Sequence, residues 1–570
     1  MAGNLFDSID GVAAGEAAAA PWAARSPFRP EQGRDLMLVP RVRDWAGDPA
    51  AREALERIVA DPAVAEAREH AKGVDLRLDD DWIEARGEPL EAGTADPDAN
   101  ADLAAGARYA VYFWGANTTK ALHVGHLRNL ALGNAIAAGL RVGGARVENR
   151  SLICDVGRSM GEAMAGVVAS GRADDELGAE NGEKSDHFVG LCYADYVKAG
   201  RAELGDDGAE DSVARESALY DDKADELMMR VLGGDQGALE LWSKTRAWVI
   251  SGQRKTLARL GVPFDRVIFE SDFLPEVAEL TNLGLREGML RRREDGMVVY
   301  PTDREELEEM PLVRRDGLPT QHMRALAYWA AAPELEDFTS LQVCSTEWVA
   351  HVTCRRQLLD ALALARSNGH PNPVANGNGR GGPPDHDVFH GMVARSNEAV
   401  SSSKKGALLI DDLVEWAEER LLADPEPAAV RAAHPQPERI AARVVMAYFL
   451  LQPTSKRVEF EPELLFVPER SLGWDIVRAQ AGARVPAGVG ATGGGDAGAA
   501  DPDYRFAIVQ SELFRRHLRS AVAELDPVPL ARYLSHFARW HATGERSPRV
   551  DAVAQAVLEQ GVRGLGLEAA

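Results

Sequence analysis

His123-Val124-Gly125-His126, placed just after Tyr109-Ala-Val-Tyr-Phe-Trp114, is the stretch whose reading decides the fold. Tyr109–Trp114 reads as a buried strand, and Leu122 to Leu140 carries apolar residues at helical spacing. The two histidines therefore fall at or near a helix N-terminus, where N–H groups and the helix dipole favour phosphate. The small residues between them, Val124 and Gly125, let a nucleotide approach the backbone closely. Histidines at this spacing also arise as helix caps or as metal ligands, so the four residues need support from their surroundings.

Outward from the motif the order is strand, helix, strand, helix: Tyr109–Trp114, Leu122–Val142, Val147–Cys154 and Gly157–Ser170. That alternation predicts an open parallel α/β sheet whose ligand sits beyond the carboxyl ends of the strands. Residues 1–107 read as a small N-terminal domain, partly disordered at its Ala/Pro-rich start. It has helical stretches such as Ala50–Lys72, a short strand at Val74–Leu78, and a polar linker at Glu91–Ala104. A catalytic domain is expected over 108–425, interrupted by an insertion at about 171–255 that holds the acidic Asp174–Asp186 and a helical Ser212–Leu260. Asn368–Asp385 reads as a surface excursion, and the Gly/Ala-rich Gly482–Asp503 as a loop within an α-helical domain over 426–570.

Composition narrows the class. The chain has 570 residues, enough for two to four domains, with 45% hydrophobic and 27% charged residues. No apolar run approaches a membrane span, and the Ala-rich start lacks the basic region of a signal peptide. The four cysteines are scattered, which predicts free thiols in a reducing cytoplasm and neither disulfide nor structural metal. A net charge of −25 argues against indiscriminate nucleic-acid binding. Locally the balance reverses: Ser511–Val550 carries seven arginines against four acids. Arg515, Arg516, Arg519, Arg532 and Arg539 are either a solvated helix face or a patch for nucleic-acid phosphates.

Two further segments fit phosphate chemistry. Asn117-Thr-Thr-Lys120 places a lysine three residues before His123, and Ser401-Ser-Ser-Lys404-Lys405-Gly406 reads as a flexible Ser/Lys/Gly loop before a strand-like Ala-Leu-Leu-Ile and Asp411-Asp412. A Lys-Lys loop closing over a nucleotide would stabilise the charge that develops on phosphorus and exclude water.

Together these residues resemble the arginyl-tRNA synthetases, a class I aminoacyl-tRNA synthetase family. Asn117 to Asn129 is similar to that family's opening motif, including the lysine before the histidines, and Ser401 to Leu413 to its signature loop. Cys154-Asp-Val-Gly157, Val262 to Ser271, and Ser511–Leu567 resemble later family segments in the right order, so the likeness covers nearly the whole chain. It implies a Rossmann-type catalytic sheet, a helical anticodon-binding-like domain, and ATP with Mg2+, an amino acid and tRNA as partners of a cytoplasmic monomer. By residue it implies catalysis by His123, His126, Lys120, Lys404 and Lys405. ATP would be bound by Asn117, His123, Gly125, His126, Lys404 and Lys405, and tRNA by the five arginines.

The expected amino-acid pocket comprises Asn117, Glu270, Gln321, Ala325 and Glu347, and here the chain departs from its relatives. The family holds the substrate guanidinium with a tyrosine and an aspartate four residues apart; the matching positions are Gln321 and Ala325. That spacing keeps both on one helix face, but the carboxylate is gone. Glu270 matches another guanidinium-binding acid, Glu347 stands where the family has a glutamine near the α-amino group, Tyr112 replaces a strand acid, and Val400 replaces the loop's first lysine. A guanidinium cannot deprotonate, and a buried charge short of its partner costs roughly 3–5 kcal/mol, about two to four decades in affinity. Three readings follow: a synthetase of the arginyl type with an altered pocket, a paralogue activating another amino acid for a biosynthetic pathway, and a non-catalytic tRNA-binding or regulatory protein.

Overall fold

The computed structural model describes the chain apart from residues 1–4, 10–20, 26–33, 43, 97, 177–182, 205–222, 332–337, 367–385, 396–397, 400–407, 424–429, 431–435, 469, 485–497, 544–545 and 569–570. Its N-terminal part is an antiparallel sheet in the order β1-β2-β4-β3 (Trp22–Arg25, Leu36–Pro40, Gly73–Leu78, Val64–His70). Helices Pro49–Val59 and Asp80–Glu91 accompany it. The helix expected to run from Ala50 to Lys72 ends at Val59. Pro62 cannot continue it, and the polar Val64–His70 stretch is drawn into edge pairing with β4. Pairing there overrides the helical preference of an Ala/Glu/Arg-rich sequence.

The central sheet is parallel, in the order β12-β11-β5-β6-β7 (His386–His390, Thr339–Ser345, Arg108–Tyr112, Arg146–Ile153, Arg266–Phe269). Successive residues of β5 serve opposite faces. Val111 joins the core that contains Leu127, Leu130 and Ala131 of the motif helix Val124–Val142, whereas Ala110 and Tyr112 join a second core with Met323, Leu326 and Trp329 of helix Gln321–Ala331. The motif helix is apolar almost all round because it is buried almost all round. Gly133 lies so close to Phe113 that a Cβ there would sit 2.2 Å from its ring.

Three helices, Ser185–Leu204, Lys223–Leu232 and Gln236–Arg259, stand between β6 and β7 as the expected insertion. The sequence gave no hint of a three-stranded antiparallel sheet, β8 to β10 (Arg291–Arg292, Val298–Arg304, Leu307–Val313), between β7 and the pocket helix. Of the strand-like Ala407-Leu-Leu-Ile410, Ala407 lies outside the described residues; Leu409 makes a single bridge and Ile410 begins a helix that runs to Ala423. The C-terminal part is helical as expected (Pro437–Tyr448, Leu472–Arg484, Pro502–Glu524, Val528–Ala542, Pro548–Gly564). It also contributes a strand, β15 (Val458–Phe460), parallel to β13 (Val393–Arg395), whose other neighbour is β14 (Glu398–Ala399).

Arginines hold the C-terminal helices to the N-terminal domain. Arg505, 7% exposed, donates through Nε and Nη2 to both oxygens of Asp35, also 7% exposed, at 2.9 and 2.6 Å. It also reaches Asp80 and the Leu78 carbonyl. Arg549 bridges Glu84 and Glu91 at 2.6 and 2.8 Å. Replacing Arg505 by Ala leaves Asp35 buried without its partner, so the unfolding free energy in urea should fall by about 3–5 kcal/mol. Arg505→Lys should recover less than half of that, because an ammonium cannot make the forked contact; full stability in either variant would refute the clamp.

Candidate active site

Residues at or just beyond the carboxyl ends of all five parallel strands line one cavity of about 540 Å³. Tyr112 to Asn117 follow β5, Cys154 follows β6, Glu270 follows β7, Cys344 to Glu347 close β11, and His390 closes β12. The strand order reverses at β5, whose neighbours are β6 on one side and β11 on the other. An open α/β sheet forms its ligand crevice at such a point.

The structure brings Asn117, His123, Gly125, His126, Glu270, Gln321, Ala325 and Glu347 to the wall of this cavity. It does not bring Lys120 there. The Lys120 ammonium lies 5.8 Å from the Tyr193 ring centre, in the insertion, although its charge is felt by both imidazoles. Lys404 and Lys405 lie outside the described residues. The chain that follows them is well fixed. Val124 N–H donates to the Leu408 carbonyl at 3.0 Å, and Ile410 N–H to that of Leu122 at 3.0 Å. One turn of sequence later, Asp411 receives Lys184 at 2.8 Å, His187 at 3.0 Å and Thr256 at 2.9 Å, all from the insertion helices. Burial works to raise the Asp411 pKa, but these donors outweigh it and hold the carboxyl well below its usual range.

The expectation that open N–H groups at the helix start await phosphate is corrected by the geometry. Val124 N–H is taken by Leu408, Gly125 N–H donates to His123 Nδ1 at 3.2 Å, and His126 N–H donates to the His123 carbonyl at 2.8 Å. His126 Nδ1 in turn accepts from His123 N–H at 3.1 Å. The two side chains thus form a reciprocal capping box built from imidazoles. Each Nδ1 accepts a backbone proton, so each ring, if neutral, must carry its own proton on Nε2. Burial, reinforced by the Lys120 charge, pushes the His126 pKa down to about 4, and burial with the His126 and Lys120 charges lowers that of His123 well below its usual value. The rings lie 4.0 Å apart. At neutral pH the site therefore holds two adjacent Nε2–H donors with no partner among the described residues.

On the other face of the sheet, Gln321 and Ala325 stand one turn apart on the pocket helix. Glu270, 3% exposed, receives Arg324 Nε at 2.7 Å. Gly157 (φ 109°) makes room for that guanidinium, since a Cβ there would lie 2.8 Å from Nη1. The retained acid is therefore neutralised by the chain's own arginine. Burial raises its pKa and Arg324 opposes the rise. Tyr112, in the strand position that lost its acid, pairs hydroxyl to hydroxyl with Tyr328 at 2.5 Å. Sequence reasoning missed three more lining residues: Arg355, Gln342 and His322. Only their parity on β11 and on the flanking helices could have marked them.

The five arginines expected on tRNA phosphates are partly committed elsewhere. Arg515 binds Asp102 and the Ala99 carbonyl, and Arg516 donates to Ala24, both in the N-terminal part. Arg539 lies beside Ser535 and Asp475, and Arg532 points at the Leu451 carbonyl.

No family model matches the chain. In sequence it is similar to an arginine--tRNA ligase of Bacteroides fragilis, 31% identical over 242 residues, which are 41% of this chain and 39% of that protein. It is also similar to an arginine--tRNA ligase of Amoebophilus asiaticus, 28% identical over 375 residues, 62% of this chain and 58% of that protein. The chain thus matches well under two thirds of the length of these curated relatives. In structure it is similar to the Thermus thermophilus arginyl-tRNA synthetase, with a TM-score of 0.66 and 19% identity over 99% of both chains. The Plasmodium falciparum arginyl-tRNA synthetase gives 0.63 and 14%, over 99% of this chain and 97% of that one. The fold is that of these arginyl-tRNA synthetases, and over part of its length the chain is similar in sequence to arginine--tRNA ligases.

Nitrogen-detected NMR should find His123 and His126 as Nε2–H tautomers that do not titrate between pH 8 and 6; a transition in either near its ordinary 6.5 would refute the caps. Burial also pushes His322 down to about 3 and His390 to about 4. Their unfolded counterparts protonate near 6.5 while the folded rings stay neutral, so the unfolded state takes up protons and stability falls as pH drops. The loss should be about 1 kcal/mol for each such imidazole between pH 6.5 and 5.5. His187, raised by its bond with Asp411, works the opposite way and offsets only part of this loss.

Proposed function

We propose that this chain is an ATP-dependent aminoacyl-tRNA synthetase of the arginyl type whose amino-acid pocket has been rebuilt. The observation that carries the reading is the pair of Nε2–H donors fixed side by side at the crevice of a parallel sheet. In this reading the amino-acid carboxylate attacks the α-phosphorus of ATP. A carboxyl–phosphorus bond forms, the bond to the β-phosphate oxygen breaks, and pyrophosphate leaves with that electron pair. His123 and His126 donate to phosphate oxygens as charge gathers there, and being neutral they need no change of protonation to do so. The tRNA 3′ hydroxyl then takes the acyl group and releases AMP.

Magnesium, entering with ATP, would supply charge at the β- and γ-phosphates. Lys404 and Lys405, which lie outside the described residues, are proposed to meet the phosphates as well, whereas Lys120 acts on the imidazoles through its field. The five arginines Arg515, Arg516, Arg519, Arg532 and Arg539 remain the proposed tRNA contacts, although Arg515 is also engaged with Asp102 and Arg516 with Ala24.

The histidines have a structural use as caps, so their mere presence does not decide between a working and a silent site. Their two uses can be separated. His123→Asn keeps a side-chain acceptor for the Gly125 N–H but loses the reach of Nε2, whereas His123→Ala loses both. With the right amino acid and tRNA present, ATP–pyrophosphate exchange should fall by about 10²–10³-fold in both variants. Only His123→Ala should also lose stability, by about 1 kcal/mol. Unchanged exchange in His123→Asn would sink the catalytic reading.

A further inference from the structure

The pocket face carries a cation that the proposed reaction has not yet used. Arg355, in helix Val349–Arg366, is 8% exposed and lines the cavity. Its one hydrogen bond among the described residues is from Nη2 to the Gln342 amide oxygen at 3.0 Å, a neutral partner. The acids around it are shared with other arginines. Glu270 is bound by Arg324, and Asp387 gives one oxygen to Arg356 at 2.5 Å; both carboxylates also act on Arg355 through space, but three arginines face these two acids. His322, which shares the cavity wall, is neutral at physiological pH. Glu347 is exposed at the rim. Arginine stays charged even when buried, so the pocket interior holds one positive charge in excess.

Strand parity shows which part of a ligand that charge would meet. Val111 and Phe113 face the motif helix, together with Leu341 and Val343 of β11. Tyr112 faces the other way, and Gln342 is its partner in the β5–β11 register. Arg355, bonded to Gln342, belongs to this second face, with Gln321, Ala325 and Trp329 of the pocket helix. The phosphate-side imidazoles lie on the first face. A cation buried behind Tyr112 is placed for the side chain of the substrate, away from the phosphates.

We infer that the amino acid activated here carries a carboxylate on its side chain, received by Arg355 and Gln342, in place of the guanidinium taken by arginine-specific relatives. The change is a reversal of sign. Ala325 removes an anion from the pocket, Arg324 covers the one at Glu270, and Arg355 supplies the cation. The substrate ammonium has Glu347 at the rim, while its α-carboxylate is the attacking group. A buried charge that awaits its counter-ion binds an anionic side chain strongly and repels a cationic one.

This inference rests on the synthetase reading for its chemistry but can fail separately from it. Aminoacyl sulfamoyl adenosines, stable mimics of the adenylate, should be titrated calorimetrically into the full chain, with glutamyl, aspartyl, glutaminyl, alanyl and arginyl forms compared. An acidic form should bind tighter than the glutaminyl, alanyl and arginyl forms by about thirtyfold or more, the scale of one desolvated charge pair. Arg355→Met, of similar length and apolar, should abolish that preference and bring the acidic forms level with the glutaminyl form. Equal binding across the panel, or tightest binding of the arginyl or glutaminyl form, would overturn the inference, and the wild-type comparison stands even if the variant fails to fold. If the acidic preference appears but no amino acid supports exchange with ATP, the activation reading falls and the pocket assignment survives.

Discussion

One constraint organises the molecule: consecutive residues of a strand must point to opposite faces. In Arg108–Tyr112 that rule sends Val111 toward the motif helix and Tyr112 toward the pocket helix, and Leu341 and Gln342 repeat the division one strand over. Two cores grow on the two faces, and two kinds of recognition grow at their ends. The imidazole pair is carried by the first, the guanidinium of Arg355 by the second. Arg355 is tied to β11 through Gln342, whereas the imidazoles are fixed by their own capping box and by the Leu408 contact at the start of the motif helix. Only at the carboxyl edge, where the strands stop, do the faces meet in one cavity.

Much of this was legible in the sequence. The strand–helix alternation after Arg108, the histidine pair at a helix start and the order of later segments were enough for the fold, and Gln321 and Ala325 were placed correctly on one helix face. What was not legible had physical causes. Val64–His70 has no apolar period of its own, and its strand exists through pairing with β4. Arg355 sits beside Arg356 in a polar stretch, and nothing local tells the buried guanidinium from the one paired with Asp387. The histidine pair admitted both a phosphate role and a capping role. The geometry assigns Nδ1 to the cap and leaves Nε2 for a ligand, so the alternatives divide the ring between them.

Charge tells a similar story of sequence seen from too far away. The excess of arginines after Ser511 looks like a surface waiting for nucleic acid. In the fold, the segment from Arg505 to Arg549 supplies much of the cement between the C-terminal helices and the N-terminal sheet, through Asp35, Asp80, Glu84, Glu91 and Asp102. The acidic balance of the whole protein and the basic balance of this region are two halves of one contact. Net charge over a window counts such arginines as available when they are already matched.

The imidazole capping box bears on how this chain could change over generations. Substituting either histidine removes a ligand donor and, in the same stroke, a helix cap, at the start of a helix buried on nearly every side. In the proposed reading, a lineage that stopped making adenylates would still need a capping acceptor at His123, worth about 1 kcal/mol, which slows the loss of the pair. The motif is therefore a slow-decaying record of ancestry, whereas the pocket face, where one residue can be exchanged without loosening a helix, is free to drift or to be reselected. In this architecture specificity is the evolvable property, and the catalytic signature is the one that persists after its use has changed.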